Sequence, residues 1–322
     1  MNGIGRVYAA INRLPSDRFP RGELVVDKQF IKEFMKKETK RDNYPEPVEE
    51  DLEMEIEFYH RLGLDLVCVH DTEPMHHSGD LCFKLDYIRR FNAEGFFVFL
   101  VLNGVFQTLV NQAGFTNFMK NIARWPQQVG EELQKLSQKI SEHIRKGLPD
   151  GVHGIIIADD IAFNRGTYVA PEFIQKYLLP CWQNQVNSAR EQRIPVFLHS
   201  DGNINAVLPI IVEAGFDGLQ CIEPAAGMNF KEVKQKYGKY LCLMGNIDPA
   251  LLYGNGANNS FGCASDDPHV QKHNFPELAR AVNELIAMAA PDGGFIFGTC
   301  SGLHAGLSTE KVKFMYELVR NI

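Results

Sequence analysis

Four side chains with metal-binding chemistry follow three short apolar runs of the chain. His199 and Asp201 come at the end of one run, Glu223 ends the next, and Cys300 ends the last. One imidazole, two carboxylates and one thiolate form a four-ligand set for Zn²⁺. Oxygen ligands are harder than sulfur ligands, so this set is less selective for zinc than a sulfur-rich one. His199 and Asp201 are alternate residues, so both side chains point the same way in an extended segment. The four residues together predict a metal site, although a His-x-Asp pair alone is common.

Polar residues that follow other apolar runs form a second set of candidates. Asp159 and Asp160 are adjacent, so only one can face a shared centre as a general base, whereas the other could cap the following loop or helix. Asp160 is the catalytic candidate of the pair, and Asp159 is a substrate-binding candidate. Asn246, a catalytic candidate, and Asp248, a substrate-binding candidate, could instead form an Asx turn before Pro249. The remaining candidates are Asp71 as a catalytic acid, and Asn103 and His304 as substrate-binding residues.

The elements that must position these residues alternate along the chain. Eight short apolar runs are each followed by a longer helical stretch, which is typical of parallel strands covered on both faces. The runs are Leu24–Val26, Asp65–His70, Phe96–Leu102, His153–Ala158, Pro195–His199, Asp217–Ile222, Tyr240–Gly245 and Gly294–Gly298. Eight such units predict an α/β fold, a (β/α)₈ TIM barrel, in which catalytic residues lie at the carboxyl ends of the strands. An open doubly wound sheet is the alternative, and it lacks its nucleotide-binding glycine motif here.

Helix signals between the runs support this alternation. Val48–Leu62 opens with acidic residues, has apolar residues at three-to-four spacing, and ends before Gly63. The other predicted helices are Glu131–Gly147, Pro171–Arg193, Ile204–Gly215, Phe230–Tyr237, Phe275–Ala290 and Thr309–Arg320. We find no linker, so residues 1–322 are expected to form one domain. The polar segment 254–276 breaks the pattern and is predicted to be either an active-site lid or disordered.

Composition narrows the class of protein. The 322 residues carry a net charge of −7, without the basic excess of a nucleic-acid-binding protein. Seven cysteines without a Cys-x-x-Cys pair are typical of a reducing compartment, so a cytoplasmic enzyme is expected. The first residues lack the apolar core of a signal peptide, and no run is long enough to cross a membrane.

Several segments, in order along nearly the whole chain, resemble the uroporphyrinogen decarboxylase superfamily. The resemblance begins at RVYAAINRLPSDRFPRGEL and continues through DDIAFNRGTYVAPEFIQKYLLPCW. It then runs through FLHSDGNINAVLPIIVEAGFDGLQCIEPAAGMNFKEVKQKYG, LCLMGNIDPALLYG and GGFIFGTCSGLHAG. The fold that this resemblance implies is again a (β/α)₈ barrel.

The resemblance implies one of two chemistries. One branch consists of zinc-dependent methyltransferases that work with corrinoid proteins and carry a His-x-Cys-Gly motif and a further Cys after the last strand. His199 and Gly202 match this motif, Cys300 matches the later Cys, and Asp201 stands where the first Cys would be. A carboxylate can replace that thiolate as a ligand, with a change in affinity and metal preference.

The other branch decarboxylates the acetate arms of uroporphyrinogen without a cofactor, in porphyrin biosynthesis. It would need Asp71 or Asp160 as an acid that stabilises a protonated pyrrole, and several arginines for the carboxylates. Arg13, Arg18 and Arg21 lie near the amino terminus, but their spacing differs from that of the branch. They could equally be salt-bridge partners on the surface.

We therefore predict a metal-dependent methyltransferase that acts on a small molecule. Zinc would be its metal, and the methyl group would move to or from a corrinoid carried by a separate protein that docks at the barrel mouth. The alternatives are uroporphyrinogen decarboxylation and a non-catalytic barrel that binds a ligand. Fold alone supports none of these functions.

Overall fold

The computed structural model describes residues 1–39, 52–71, 78–254 and 275–322. The predicted lid 254–276 lies outside these residues apart from its two ends, so the lid stays a prediction. Within the described residues, no helix combines the length and the apolar character that crossing a membrane requires.

A curled sheet of seven parallel strands forms the centre of the fold. Its strands, in spatial order, are β1, β2, β3, β6, β7, β8 and β9, and a separate antiparallel hairpin consists of β4 and β5. The strands are β1 (Leu66–Asp71), β2 (Phe97–Asn103), β3 (Gly154–Ala158), β4 (Ala162–Phe163), β5 (Gly166–Thr167), β6 (Val196–His199), β7 (Gly218–Gln220), β8 (Cys242–Ile247) and β9 (Phe295–Thr299). All neighbouring strands of the large sheet are parallel, so their carboxyl ends lie on one side.

Alternate side chains of the strands pack on opposite faces of the curled sheet. Phe97, Phe99 and Phe197 belong to a buried cluster inside the curl, together with Ile156 and Ile296. The intervening residues of the same strands belong to the larger cluster formed with the helices. Both faces are therefore apolar, which explains why each strand is a nearly continuous apolar run in the sequence.

Helices surround the sheet. They are α1 (Gly3–Ile11), α2 (Lys28–Thr39), α3 (Leu52–Leu62), α4 (Ser78–Ala93), α5 (Val105–Ala113), α6 (Phe115–Arg124), α7 (Pro126–Arg145), α8 (Pro171–Phe173), α9 (Leu179–Arg190), α10 (Leu208–Ala214), α11 (Phe230–Tyr237), α12 (Pro276–Ala289) and α13 (Thr309–Leu318). A π-helical turn, Ile174–Leu178, joins α8 to α9. Each predicted helix has a counterpart here, and the boundaries differ by a few residues, as expected where helix ends fray. Residues 48–51, the predicted start of α3, lie outside the described residues.

The first predicted strand, Leu24–Val26, is not a strand. Instead, the preceding segment makes backbone hydrogen bonds with both edge strands of the sheet. Phe297 N donates to Pro20 O at 2.8 Å and Gly22 N to Phe297 O at 2.9 Å, on the β9 side. On the β1 side, Asp65 N donates to Arg21 O at 2.7 Å. The observed fold is thus TIM-barrel-like, with seven strands in place of the predicted eight.

The segment that contains Pro20 and Gly22 is short because it lies very close to β1. A Cβ atom at Gly22 would lie 2.2 Å from Leu66 Cγ, so only glycine fits beside β1. Pro20 has no N–H to donate to a neighbouring strand. The segment therefore makes a few contacts with each edge and does not extend into a regular strand.

The carboxylate of Glu23 fixes the end of β9 from this same segment. It accepts hydrogen bonds from Thr299 N at 3.1 Å and Thr299 Oγ1 at 2.6 Å, and a further one from Tyr316 Oη. Burial raises its pKa to about 7, and the hydrogen bonds from Thr299 and Tyr316 oppose part of that rise. The protonated form is therefore favoured in the folded state relative to the unfolded chain.

We expect the free energy of unfolding to fall as pH rises from about 5 to about 8, because the folded state binds the Glu23 proton more tightly. Glu23→Gln cannot ionise, so its stability should fall less over that interval. Urea denaturation at several pH values measures both slopes. The exposed Glu213→Gln is the control, and identical slopes for Glu23→Gln and the native chain would contradict the prediction.

Candidate metal centre at the carboxyl ends of the strands

The predicted metal ligands come from strands that end side by side. Ala158 of β3 is in register with His199 of β6, and His199 is in register with Gln220 of β7. The residues that follow these strand ends therefore meet at one edge of the sheet. Because the strand ends are in register, carboxylate, imidazole and thiol groups from separate parts of the chain lie close together.

A first group of potential ligands consists of Asp160, His199 and Asp201. Their ligand atoms all lie within 4.8 Å of one another. His199 Nε2 lies 3.5 Å from Asp160 Oδ1, and the same oxygen accepts from Asp201 N at 3.1 Å. His199 is buried, whereas the two carboxylates reach solvent, so the group is open on one side.

A second group consists of Asp201, Cys221 and Glu223, again with ligand atoms within 4.8 Å of one another. Glu223 Oε2 accepts from Gly202 N at 2.9 Å, which fixes the carboxylate against the segment after β6. The Cys221 thiol neighbours that of Cys300. This contact, burial and the nearby Asp201 carboxylate raise the pKa of Cys221 well above its usual value.

The predicted set of four is thus divided between two groups that share Asp201. His199 belongs to the first group and Glu223 to the second, and Cys300 belongs to neither. Cys300 reaches the second group through its contact with Cys221. Its backbone is fixed because Cys300 N donates to Ile247 O at 3.1 Å.

Gln220 determines which nitrogen of His199 faces the centre. Its Nε2 donates to Cys300 O at 3.1 Å, so its Oε1 is the atom that accepts from His199 Nδ1. Nδ1 therefore carries a proton, and Nε2 is the nitrogen that faces Asp160 and the centre. This nitrogen and the carboxylate oxygen need a proton or a cation between them.

The negative charge of the centre lacks a lysine or arginine partner. Within the described residues, His199 is the one basic side chain close to these carboxylates, with Nε2 3.5 Å from Asp160 Oδ1, and it carries charge only when protonated. Carboxylates held this close together repel one another unless a cation or protons compensate their charge. The donor set therefore fits a divalent cation, with nitrogen, oxygen and sulfur atoms of the kinds that bind zinc.

Asn246 supports the second group from β8. Its side chain is buried, and Nδ2 donates to Ile222 O at 2.9 Å, between Cys221 and Glu223. The contact holds the segment that carries two potential ligands. The predicted catalytic role of Asn246 stays a prediction.

Asp159 and Asp160 point to different places, as alternation predicts. The Asp159 carboxylate is fully buried and accepts from Gln107 N and from Trp182 Nε1, both at 2.9 Å. It therefore caps the amino end of α5 and anchors α9, and burial raises its pKa to about 7. The structure places the Asp159 carboxylate outside both groups of ligands, and its role in binding substrate stays a prediction.

The other predicted residues lie outside both groups. Asp71 and Asn103 are half-buried at the ends of β1 and β2. Asp248 accepts from Ala250 N at 2.8 Å, which is the Asx turn that the sequence left open. His304 is half-buried, with Nδ1 2.9 Å from Ala305 O. Their roles toward substrate stay predictions.

Sequence reasoning missed Cys221 and Gln220. Cys221 lies within an apolar run, which by itself predicts a buried core thiol, and its side chain is 1% exposed. A signal was present, however, because Cys221 and Glu223 repeat the alternate spacing of His199 and Asp201. Gln220 offered no comparable signal, since its role depends on residues distant in sequence.

The fold and this cluster define a TIM-barrel-like protein with polar donors at the carboxyl ends of its strands. Residues 103–322 match the family model described as uroporphyrinogen decarboxylase (URO-D). The chain therefore belongs to the uroporphyrinogen decarboxylase family, as the resemblance predicted.

Named relatives and a solved structure agree with this membership. The chain is 22% identical over 188 residues to uroporphyrinogen decarboxylase of Thioalkalivibrio sulfidiphilus, covering 57% of this chain and 46% of that protein. It is 27% identical over 221 residues to that of Chlorobium luteolum, covering 67% and 56%. The chain thus spans about half the length of these relatives. A methyltransferase from Methanosarcina mazei shares the fold, with a TM-score of 0.71 and 17% identity over 99% of this chain and 98% of that one.

We expect Gln220→Leu to weaken Zn²⁺ binding by about 10- to 100-fold, because the imidazole loses the partner that fixes its tautomer. Calorimetric titration of chelator-treated protein with Zn²⁺ measures the change. The control is Gln185→Leu, which alters another buried glutamine, on α9, whose amide has no hydrogen-bond partner within the described residues. Unchanged affinity in a folded Gln220→Leu protein would show that the amide does not orient the ligand.

Proposed function

We propose that this protein is a metal-dependent methyltransferase that moves a methyl group between a small molecule and a corrinoid carried by a separate protein. The observation that supports it most is the orientation of His199. Its Nδ1 is engaged by Gln220, so Nε2 is the nitrogen that faces Asp160, among carboxylates and thiols that have no lysine or arginine partner within the described residues. Such a centre favours a bound divalent cation over a metal-free reaction.

The residues that would hold the metal are His199 Nε2, the carboxylates of Asp201 and Glu223, and the thiol side of the centre at Cys300. Bound there, Zn²⁺ would supply Lewis-acid chemistry, making an ether or amine a better leaving group or lowering the pKa of a substrate thiol. Gln220 orients the imidazole through the hydrogen bond that its Oε1 accepts from His199 Nδ1. Gly202 N and Asn246 keep the Glu223 segment in place.

Asp160 is positioned to exchange a proton with the substrate. Its Oδ1 is held by Asp201 N and lies beside His199 Nε2, while the side chain remains 41% exposed. We assign it the role of general base that accepts the proton of a thiol substrate as that thiol binds. Asp159 takes no part in this step, because its carboxylate is enclosed by α5 and α9.

Exposed aromatic rings beside the centre support the approach of a large partner. Phe163 of β4 stacks on Tyr168 with ring centroids 5.5 Å apart, and Phe115 packs edge-on against Tyr168 at 4.8 Å. Burial raises the pKa of Tyr168, and the carboxylates of Asp160 and Asp201 raise it further, so the rings adjoin the first group. We propose that the corrinoid protein docks over these rings.

Decarboxylation of uroporphyrinogen is the alternative that the names of the relatives suggest. The predicted arginines disfavour it. Arg18 pairs with Asp65 at 2.6 Å before the amino end of β1, and Arg21 is buried beside it. Arg13 Nε donates to Gly238 O, before the amino end of β8. All three lie at the opposite end of the strands from the centre, where they cannot hold the carboxylates of a substrate bound there.

The fold that the chain shares with the Methanosarcina mazei methyltransferase over 99% of its length adds support to methyl transfer. That likeness concerns the fold, whereas the choice of reaction rests on the donor set. The substrate that gives or accepts the methyl group is therefore a question for assay.

We expect zinc-loaded protein to demethylate methylcobalamin in the presence of at least one acceptor from a panel of thiols, or to methylate cob(I)alamin from methyl ethers or methylamines. The cobalamin absorption spectrum follows either direction. His199→Ala should reduce the rate by about tenfold or more, because the centre loses its nitrogen ligand. His143→Ala, on α7, is the control.

The same preparations are then assayed with uroporphyrinogen. Metal-independent release of carbon dioxide that persists in His199→Ala, without any change of the cobalamin spectrum, would contradict methyl transfer and support decarboxylation.

A further inference from the structure

Cys221 is held in place from both neighbouring strands. Asn246 Nδ2, from β8, donates to the carbonyl of the next residue at 2.9 Å. On the other side, Gly202 N, after β6, donates to Glu223 Oε2 at 2.9 Å. The backbone at Cys221 has φ of +71°, a conformation that few residues other than glycine adopt. The local structure therefore fixes the thiol next to a carboxylate that is itself fixed.

The neighbours of the Cys221 thiol differ from those of the other buried thiols. Cys242 lies in the apolar cluster inside the sheet, and the Cys181 thiol contacts the carbonyl of Tyr177 one helical turn away. Cys221 instead lies with its sulfur within 4.8 Å of the carboxylate oxygens of Asp201 and Glu223. A core role explains Cys181 and Cys242, but it does not explain a thiol that faces two carboxylates.

A second thiol completes this side of the centre. Cys300 comes from the end of β9, and its thiol contacts that of Cys221. Hydrogen bonds hold both polar groups of its backbone. The N–H of Cys300 donates to Ile247 O, and its carbonyl accepts from Gln220 Nε2 at 3.1 Å. The Cys221 thiol thus adjoins a second thiol and two carboxylate groups, and neither carboxylate has a lysine or arginine partner in the described part of the chain.

We propose that Cys221 is a metal ligand, and that Cys221 and Cys300 together make the centre a two-thiolate site. Thiolates prefer Zn²⁺ and Cd²⁺, whereas Mg²⁺ and Ca²⁺ prefer oxygen donors, so the site selects a thiophilic cation. The inference rests on the proposed function, because it concerns the same centre. It adds a ligand from β7 that the His199, Asp201, Glu223 and Cys300 set does not contain.

The experiment counts the thiolates on a bound metal. Chelator-treated protein is titrated with Cd²⁺ and with Co²⁺, and the thiolate-to-metal charge-transfer absorption per bound ion is recorded. Cys221→Ser and Cys300→Ser should each lose about half of this absorption, since each removes one of two sulfur ligands. Each should also bind Zn²⁺ about tenfold or more weakly.

Cys181→Ser is the matched control, because a serine hydroxyl can keep the contact with the Tyr177 carbonyl. Its charge-transfer absorption and Zn²⁺ affinity should equal those of the native chain. A folded Cys221→Ser protein that keeps the full absorption per bound ion would overturn the inference.

A second measurement needs no variant. X-ray absorption at the zinc edge of the native, zinc-loaded protein should show two sulfur atoms at about 2.3 Å. One sulfur atom would overturn the two-thiolate site while leaving the metal-dependent function intact. A native chain that binds none of Zn²⁺, Cd²⁺ and Co²⁺ would overturn both this inference and the metal-dependent function.

Discussion

The side-chain amide of Gln220 joins the imidazole and thiol sides of the centre. It donates to Cys300 O and accepts from His199 Nδ1, so it fixes the orientation of one donor and the backbone of the other. This bridge exists because Gln220 and His199 end neighbouring parallel strands in register. A shift of one residue would turn both side chains to the opposite face of the sheet, and the apolar faces on both sides of the sheet oppose such a shift.

The convergence of the strand ends also places several carboxylates close together, and their negative charge needs compensation. Asp160, Asp201 and Glu223 come from different strand ends and meet around His199 and the thiols. The basic residues of the amino-terminal segment cannot compensate them, since Arg6 and Arg18 are paired with Asp65 at the other end of β1. The two kinds of charge are therefore separated: ion pairs stabilise one end of the sheet, and the carboxylates of the proposed metal centre lie at the other.

The sequence was sufficient for features that local patterns determine. Seven of the eight predicted strands are confirmed, because buried parallel strands are continuous apolar runs. The predicted strand Leu24–Val26 was wrong, since the segment forms an isolated bridge to Leu303, a partner that no local pattern reveals. That His199, Asp201 and Glu223 come close together could be predicted from their places after neighbouring strands. The sequence could not show which of Asp159 and Asp160 is buried, because that depends on the hydrogen bond between Asp159 and Trp182 of α9. The contact of Cys221 with Cys300 joins strands far apart in sequence, beyond the reach of any local pattern.

The metal content of the purified protein is the most direct test of a metal centre at the strand ends. Protein purified without an affinity tag and dialysed mildly would be analysed for transition metals by mass spectrometry. We expect about one zinc or similar thiophilic ion per chain, either as purified or after reconstitution with Zn²⁺. Less than about a tenth of an ion per chain after reconstitution, in folded protein, would contradict it.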